Sequence, residues 1–241
     1  MKNPGVMGRS RLPTGDERPP EWFWLAGVFL SAALLLLFGW LAEEVSEGDT
    51  QAFDRWIILL FRYKEHPEHL LGPPWLPSML RDLTSLGSTV ILGLVLVLVL
   101  GYLAIARKRM AMLFVFASVV TGQTLSTVLK LLFERPRPDL IPNAPEVFTA
   151  SFPSGHAMVS AVTYLTLAAL LTRIETRRVL QHYFMASGVL VTIIVGVSRV
   201  ALGVHWPTDV AAGWCAGAAW ATVCALIAAR LAKLHEYERF P

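Results

Sequence analysis

Residues 86–106 read LGSTVILGLVLVLVLGYLAIA, twenty-one residues without one charged side chain. At 1.5 Å of rise per residue this is a helix of about 31 Å, the thickness of a bilayer's hydrocarbon core. Such a helix satisfies its own backbone polar groups, which lipid demands of any segment that crosses it. Working outward, five more apolar blocks lie at 22–41, 110–129, 155–171, 183–197 and 210–229, the third and fourth of these somewhat short for a span. The chain of 241 residues is 54% hydrophobic and only 16% charged, with a mean hydropathy of +0.52. A soluble domain of this length would need more charge on its surface. The expected fold is therefore all-α, an integral membrane bundle of six transmembrane helices.

Lysine and arginine placement orients the bundle. One set of ends carries Lys2, Arg9, Arg11, Arg18, Arg107, Lys108, Arg109, Arg173, Arg177, Arg178, Arg230, Lys233 and Arg239, thirteen in all. The other carries eight: Arg55, Arg62, Lys64, Arg81, Lys130, Arg135, Arg137 and Arg199. Both termini are expected in the cytoplasm. The expected organisation is a tail at 1–21, one six-span domain at 22–233 and a tail at 234–241. The first block is too long for a signal-peptide core and lacks a small-residue cleavage site, so it reads as retained. The 43–85 segment lies outside, with an interfacial helix expected at 52–63 and a proline-rich loop at 67–77. The short loops suit a bacterial inner membrane.

Three polar strings sit where spans end or begin: Lys130-LLFERP-Arg137-Pro138, Pro153-Ser154-Gly155-His156, and Ser198-Arg199-VALGV-His205-WPT-Asp209. With the N-terminus inside, span parity brings all three to the outer rim. Their residue types suit phosphoryl transfer, where catalysis is mainly positioning and charge stabilisation. Lys130, Arg137 and Arg199 supply cations, and arginine adds a fork matched to two phosphate oxygens. Ser154 and Gly155 open a helix whose free N–H groups seat an anion. Asp209, four residues after His205, suits an acceptor for the Nδ1 proton, leaving Nε2 free to attack. His156 remains as the acid for the departing oxygen. Taken singly, each residue has a plainer reading: a snorkelling lysine, an interface arginine, an N-cap serine, a hydrogen-bonded histidine. Together, in order and at the right span ends, they read as one site.

The strings K-x6-RP, PSGH and SR-x5-H-x3-D resemble the three-part signature of the phosphatidic acid phosphatase type 2 superfamily, which includes membrane lipid phosphatases, glucose-6-phosphatase and soluble vanadium haloperoxidases. The resemblance implies a phosphohistidine mechanism without metal or other cofactor. His205 would be the nucleophile, Asp209 its orienting partner and His156 acid then base. Lys130, Arg137, Ser154, Gly155 and Arg199 would bind phosphate. The expected function is hydrolysis of a lipid phosphomonoester or diphosphate: phosphatidate, phosphatidylglycerophosphate, an isoprenyl diphosphate or a phosphorylated lipid anchor. A lipid phosphotransferase using the same intermediate and a catalytically silent lipid-binding scaffold are the alternatives. A transporter is disfavoured, since no ionisable residue sits at mid-span.

The expected partners are the lipid substrate and the bilayer, with no nucleic acid, and oligomeric state is unreadable. Arg135 falls outside the signature and is left as a secondary phosphate contact. His66 and His69, separated by Pro67, read as a solvated loop rather than a metal pair. Gly213 and Gly217 read as a close-packing motif within the bundle. Ser118, Thr121, Gln123, Thr124, Ser126 and Thr127 are expected to bond between helices, and Trp22, Trp24, Trp40 and Trp75 to anchor at the interface. Cys215 and Cys224, nine helical residues or about 13 Å apart, cannot pair. Head-group selection is expected from 139–150 and 43–85.

Overall fold

The computed structural model describes residues 21–139 and 150–237. The expected N-terminal tail and most of the expected head-group loop at 139–150 lie outside the described residues, as does 238–241. Among the described residues the chain is all-α: α1 (Glu21–Glu47), α2 (Gln51–Leu60), α3 (Leu76–Ser85), α4 (Thr89–Ile105), α5 (Arg109–Leu132), α6 (Gly155–Ile174), α7 (Arg178–Ala201) and α8 (Pro207–Tyr237). Helices α1, α5, α6, α7 and α8 are each long and apolar enough to cross a membrane. The sixth candidate span is a pair, α3 and α4, which passes together and is bent by 45° at a short break.

Helix ends outrun the apolar blocks, because a helix continues into polar turns after hydropathy has fallen. Thus α1 runs on through Glu43, Glu44 and Glu47, and α7 takes in Arg178 at one end and Arg199 at the other. The 67–77 loop is shorter than expected, since Pro77 occupies the first turn of α3, where its missing N–H costs nothing. Ser88 then caps α4, accepting from the Ile91 amide at 3.3 Å.

Helix α6 is central and packs on α5, α7 and α8, while α1 lies along α8. Small residues allow the α6–α8 contact. A Cβ on Gly213 would sit 2.7 Å from the Ser154 carbonyl oxygen, and one on Gly217 would overlap that of Met158. The polar residues of α5 depart from expectation. Thr121, Thr124 and Thr127 donate to carbonyls one turn back on their own helix (Ala117, Val120 and Gln123), the cheapest partner a hydroxyl finds in lipid. Ser118 does bond across, its carbonyl accepting from Trp220 Nε1 at 3.2 Å and its side chain pairing with Cys224 of α8.

Helix α2 turns Asp54 and Ile58 inward, both fully buried, and leaves Phe53, Trp56 and Leu60 exposed. Ile58 packs with Ala157, Val200 and Val210, so α2 sits over the junction of α6, α7 and α8.

Candidate active site at the bundle rim

The C-terminal turns of α5 and α7 and the N-terminal turns of α6 and α8 meet at one end of the bundle, as span parity requires. The Ser154 amide donates to the Asp209 carbonyl at 2.9 Å, joining the entries of α6 and α8. Ser154 caps α6, its hydroxyl facing the Ala157 amide. The extended 133–139 chain crosses the rim, held by Trp206 Nε1 on the Pro136 carbonyl at 2.9 Å and by the Ser151 amide on the Arg135 carbonyl.

His205 lies in the turn between α7 and α8 and is 1% exposed; Asp209, in the first turn of α8, is fully buried. Asp209 Oδ2 stands 3.3 Å from His205 Nδ1, the expected pairing at a length that leaves room to tighten. Arg137 Nη1 approaches the other ring nitrogen, Nε2, at 3.1 Å, and also donates to the Val204 carbonyl at 2.7 Å. An arginine has only donors, so Nε2 must present its lone pair and the ring proton belongs on Nδ1, toward the carboxylate. Burial pushes His205 down to about 4; Asp209 resists through its hydrogen bond and charge, while Arg137 and Arg199 add to the depression. The ring is neutral at physiological pH.

The other expected residues converge here. Lys130 Nζ donates to the Ala150 carbonyl at 3.1 Å, and a Cβ on Gly155 would come 3.1 Å from Lys130 Cε, so the glycine makes room for that side chain. Arg199 Nη1 reaches Thr84 Oγ1 at 3.4 Å, while its buried Nε has no hydrogen-bond partner among the described residues. His156, in the first turn of α6, lies within electrostatic reach of Arg199, His205, Lys130 and Arg137. The rim thus gathers two histidines and three cations around a deep carboxylate. Among the described residues no group of three His, Cys, Asp or Glu could hold a metal ion. His66 and His69 stand on an exposed loop beside Glu68.

One reading needs correction. Arg135 is not turned toward a phosphate: its Nη1 is 2.6 Å from Asp209 Oδ1 and its Nη2 2.6 Å from Asp54 Oδ2. Asp54, Ser151 and Thr208 escaped sequence reading. Ser151 donates to Asp209 Oδ2 and lies 3.4 Å from His205 Nδ1. Its one signal was closeness to the PSGH string; that of Asp54 was a lone carboxylate inside an apolar stretch. Beside Arg137 opens a cavity of about 790 Å³, bordered by Glu47, Gln51, Arg55, Glu134, Asp139 and Trp206 among others.

Fold and rim together define a class, the multi-pass membrane proteins with a histidine-centred, cation-lined site. Residues 110–233 match the family model described as "PAP2 superfamily". Phosphatidylglycerophosphatase B of Bacillus subtilis (strain 168) is 32% identical over 196 residues, covering 79% of this chain and 90% of its own. Decaprenylphosphoryl-5-phosphoribose phosphatase of Mycobacterium tuberculosis (strain H37Rv) is 35% identical over 152 residues, 62% of this chain and 78% of that protein. The crystal structure of a transmembrane PAP2-type phosphatidylglycerolphosphate phosphatase from Bacillus subtilis superposes with a TM-score of 0.73 at 27% identity, covering 88% of this chain and all of the other. The chain belongs to the PAP2 superfamily, and it is a phosphatase.

Proposed function

We propose that the protein hydrolyses the phosphate ester or diphosphate of a membrane lipid through a phosphohistidine formed on His205. The contact of Arg137 with Nε2 carries this reading, because it implies a neutral ring with its lone pair aimed among the cations. In the first step Nε2 attacks phosphorus and the bond to the lipid oxygen breaks. His156 gives that oxygen a proton, and Asp209 balances the positive ring through Nδ1–H. In the second step water attacks phosphorus and loses its proton to His156. The P–N bond breaks, inorganic phosphate leaves, and His205 is neutral again.

Lys130, Arg137 and Arg199, with the Gly155 amide and the Ser154 hydroxyl, hold the equatorial oxygens, the Ser154 amide being committed to the Asp209 carbonyl. This donor set complements an anion, and among the described residues no cluster of acids stands ready for Mg²⁺, which supports a reaction without metal. The substrates after which the two relatives are named make phosphatidylglycerophosphate the first lipid to test and polyprenyl-linked phosphates the second. The site faces the extracytoplasmic side of the inner membrane with both termini cytoplasmic, on the strength of the lysine and arginine count. The whole 22–233 segment acts as one six-span domain.

Phosphate release by detergent-purified protein, across lipid mono- and diphosphates and in excess EDTA, tests substrate class and metal independence together. Loss of activity on chelation, restored by Mg²⁺, overturns the metal-free reading. His205→Ala should give no phosphoenzyme from any substrate. His156→Ala should still label from an activated aryl phosphate, whose leaving group needs no proton, and then hold the label. Exchange of these two phenotypes reverses the roles. Single cysteines at Asp139 or Lys108, in a background lacking Cys215 and Cys224, test the side by reaction with an impermeant thiol reagent in intact cells.

A further inference from the structure

We propose that Arg135 and Asp54 are positioning residues for the reaction, a buried bridge that fixes the Asp209 carboxylate behind His205 and ties that orientation to the docking of α2. The proposal rests on the reading of His205 as nucleophile and adds two residues that stand outside the signature strings.

Arg135 bridges two carboxylates, with one nitrogen on each. Arg135 Nη1 donates to Asp209 Oδ1 at 2.6 Å and to Thr208 Oγ1 at 2.8 Å. Its Nη2 donates to Asp54 Oδ2 at 2.6 Å and to Thr50 Oγ1 at 2.9 Å. With Oδ1 of Asp209 taken, Oδ2 alone is left to receive Ser151, the Trp206 amide at 2.9 Å and His205 Nδ1. The carboxylate therefore cannot rotate about its last bond without breaking a charge-assisted contact. Asp54 has a second attachment: it accepts from the Thr208 amide at 3.0 Å and the Thr208 hydroxyl at 2.7 Å, serving from α2 as the cap of α8. The Arg135 guanidinium also lies 5.5 Å from the Trp206 ring.

All three charges are out of water, with the Arg135 side chain 10% exposed and both carboxylates fully buried. A buried pair of this kind is weak evidence for stability, since hydrophobic replacements often stabilise as well or better. Its position directly behind the histidine–aspartate pair is what points to orientation. The charged and titratable groups that face His205 are Asp209 from α8, Arg199 from α7, His156 from α6 and Arg137 from the crossing chain, with Lys130 of α5 near Asp209, Arg137 and Arg199, and Arg135 behind Asp209. Asp54 from α2 stands one ion pair farther out.

The test compares Arg135→Gln, Arg135→Lys and Asp54→Asn with wild type, all as full-length protein in detergent, using an activated aryl phosphate. A support role predicts a fall in kcat of about 10–100-fold with KM changed by less than about twofold, the scale seen when the partner orienting a reactive group is lost. The acid limb of kcat/KM distinguishes positioning from mere packing, and the substrate's own titration is common to all variants. In Arg135→Gln the Asp209 charge is no longer offset, His205 holds its proton more readily, and the limb moves to higher pH. In Asp54→Asn Arg135 offsets Asp209 more fully, and the limb moves the other way. Arg135→Lys keeps the charge but spans only one carboxylate, so its limb stays near wild type while kcat falls. If Arg135→Gln does not fold, the other two decide. Wild-type kcat and an unmoved limb in the folded variants overturn the proposal. Phosphoenzyme formation by His205→Ala in parallel would instead overturn the nucleophile assignment.

Discussion

Helices α4 and α8 both carry paired glycines in apolar sequence, yet these glycines live in opposite surroundings. Gly213 and Gly217 of α8 face the backbone of α6 at distances that exclude even a methyl group. Gly93 and Gly101 of α4 have nothing within 4 Å of where a Cβ would stand. Lipid is as apolar as leucine, so the bilayer does not drive one helix against another, and close van der Waals fit decides which helices sit inside. Hydropathy reports that a helix crosses; the setting of its small residues reports where it lies. The span of α6 is accordingly half buried, and that of α1 only 17%. The proposed site grows from the tightly packed seam, since the entries of α6 and α8 also bring Ser154 and Asp209 together.

Four measurements sharpen or break this contrast. The largest effect belongs to Arg199→Lys, which keeps the charge at the dry end of the seam but loses the two-pronged fit. A loss of about 2–4 kcal/mol of transition-state stabilisation in kcat/KM is expected, the scale for removing one preorganised donor. Near-normal turnover would make Arg199 a helix-end anchor. Next comes the charge of His205. Its proton affinity is depressed in the folded protein, so the neutral ring favours the fold fully above pH about 6.5, and that contribution is lost as pH falls through about 4. In ¹⁵N-histidine spectra at pH 5.5, with the signal assigned through His205→Asn, about 3% of the ring should be charged, against about 90% for an unshifted histidine. A mostly charged ring at that pH would mean the rim is wet.

The last two are matched glycine substitutions. Gly217→Ala forces α8 away from the Met158 carbonyl, and a destabilisation of about 1–3 kcal/mol should appear in detergent unfolding. Gly101→Ala relieves backbone entropy without meeting a neighbour, and a gain of about 0.5–1 kcal/mol is expected. Equal effects at the two sites would erase the distinction between seam and periphery.

The candidate crossing segments and the rim where the signature residues meet were legible because each is a local property: a run without charge, or a cluster of cations and histidines at the end of such a run. Asp54 was not, for it meets Thr208 across 154 residues of chain, and only a folded α2 turns it inward. Arg135 sat in plain view two residues before Arg137, a spacing that on a regular extended chain would place both on one face, and only the folded rim gives them different partners. One faces the histidine and the other a pair of carboxylates. The break between α3 and α4 was hidden too, because α3 is amphipathic and too polar on average to stand out as part of a span.

The bond from the Ser154 amide to the Asp209 carbonyl has a mechanical consequence. It pins the peptide opening the anion seat to the peptide that carries the orienting acid, so the two move as one lever. Any hinge that opens α6 from α8 at this end must first break that bond. The Ser154 amide should therefore be among the last at the rim to exchange its hydrogen with solvent.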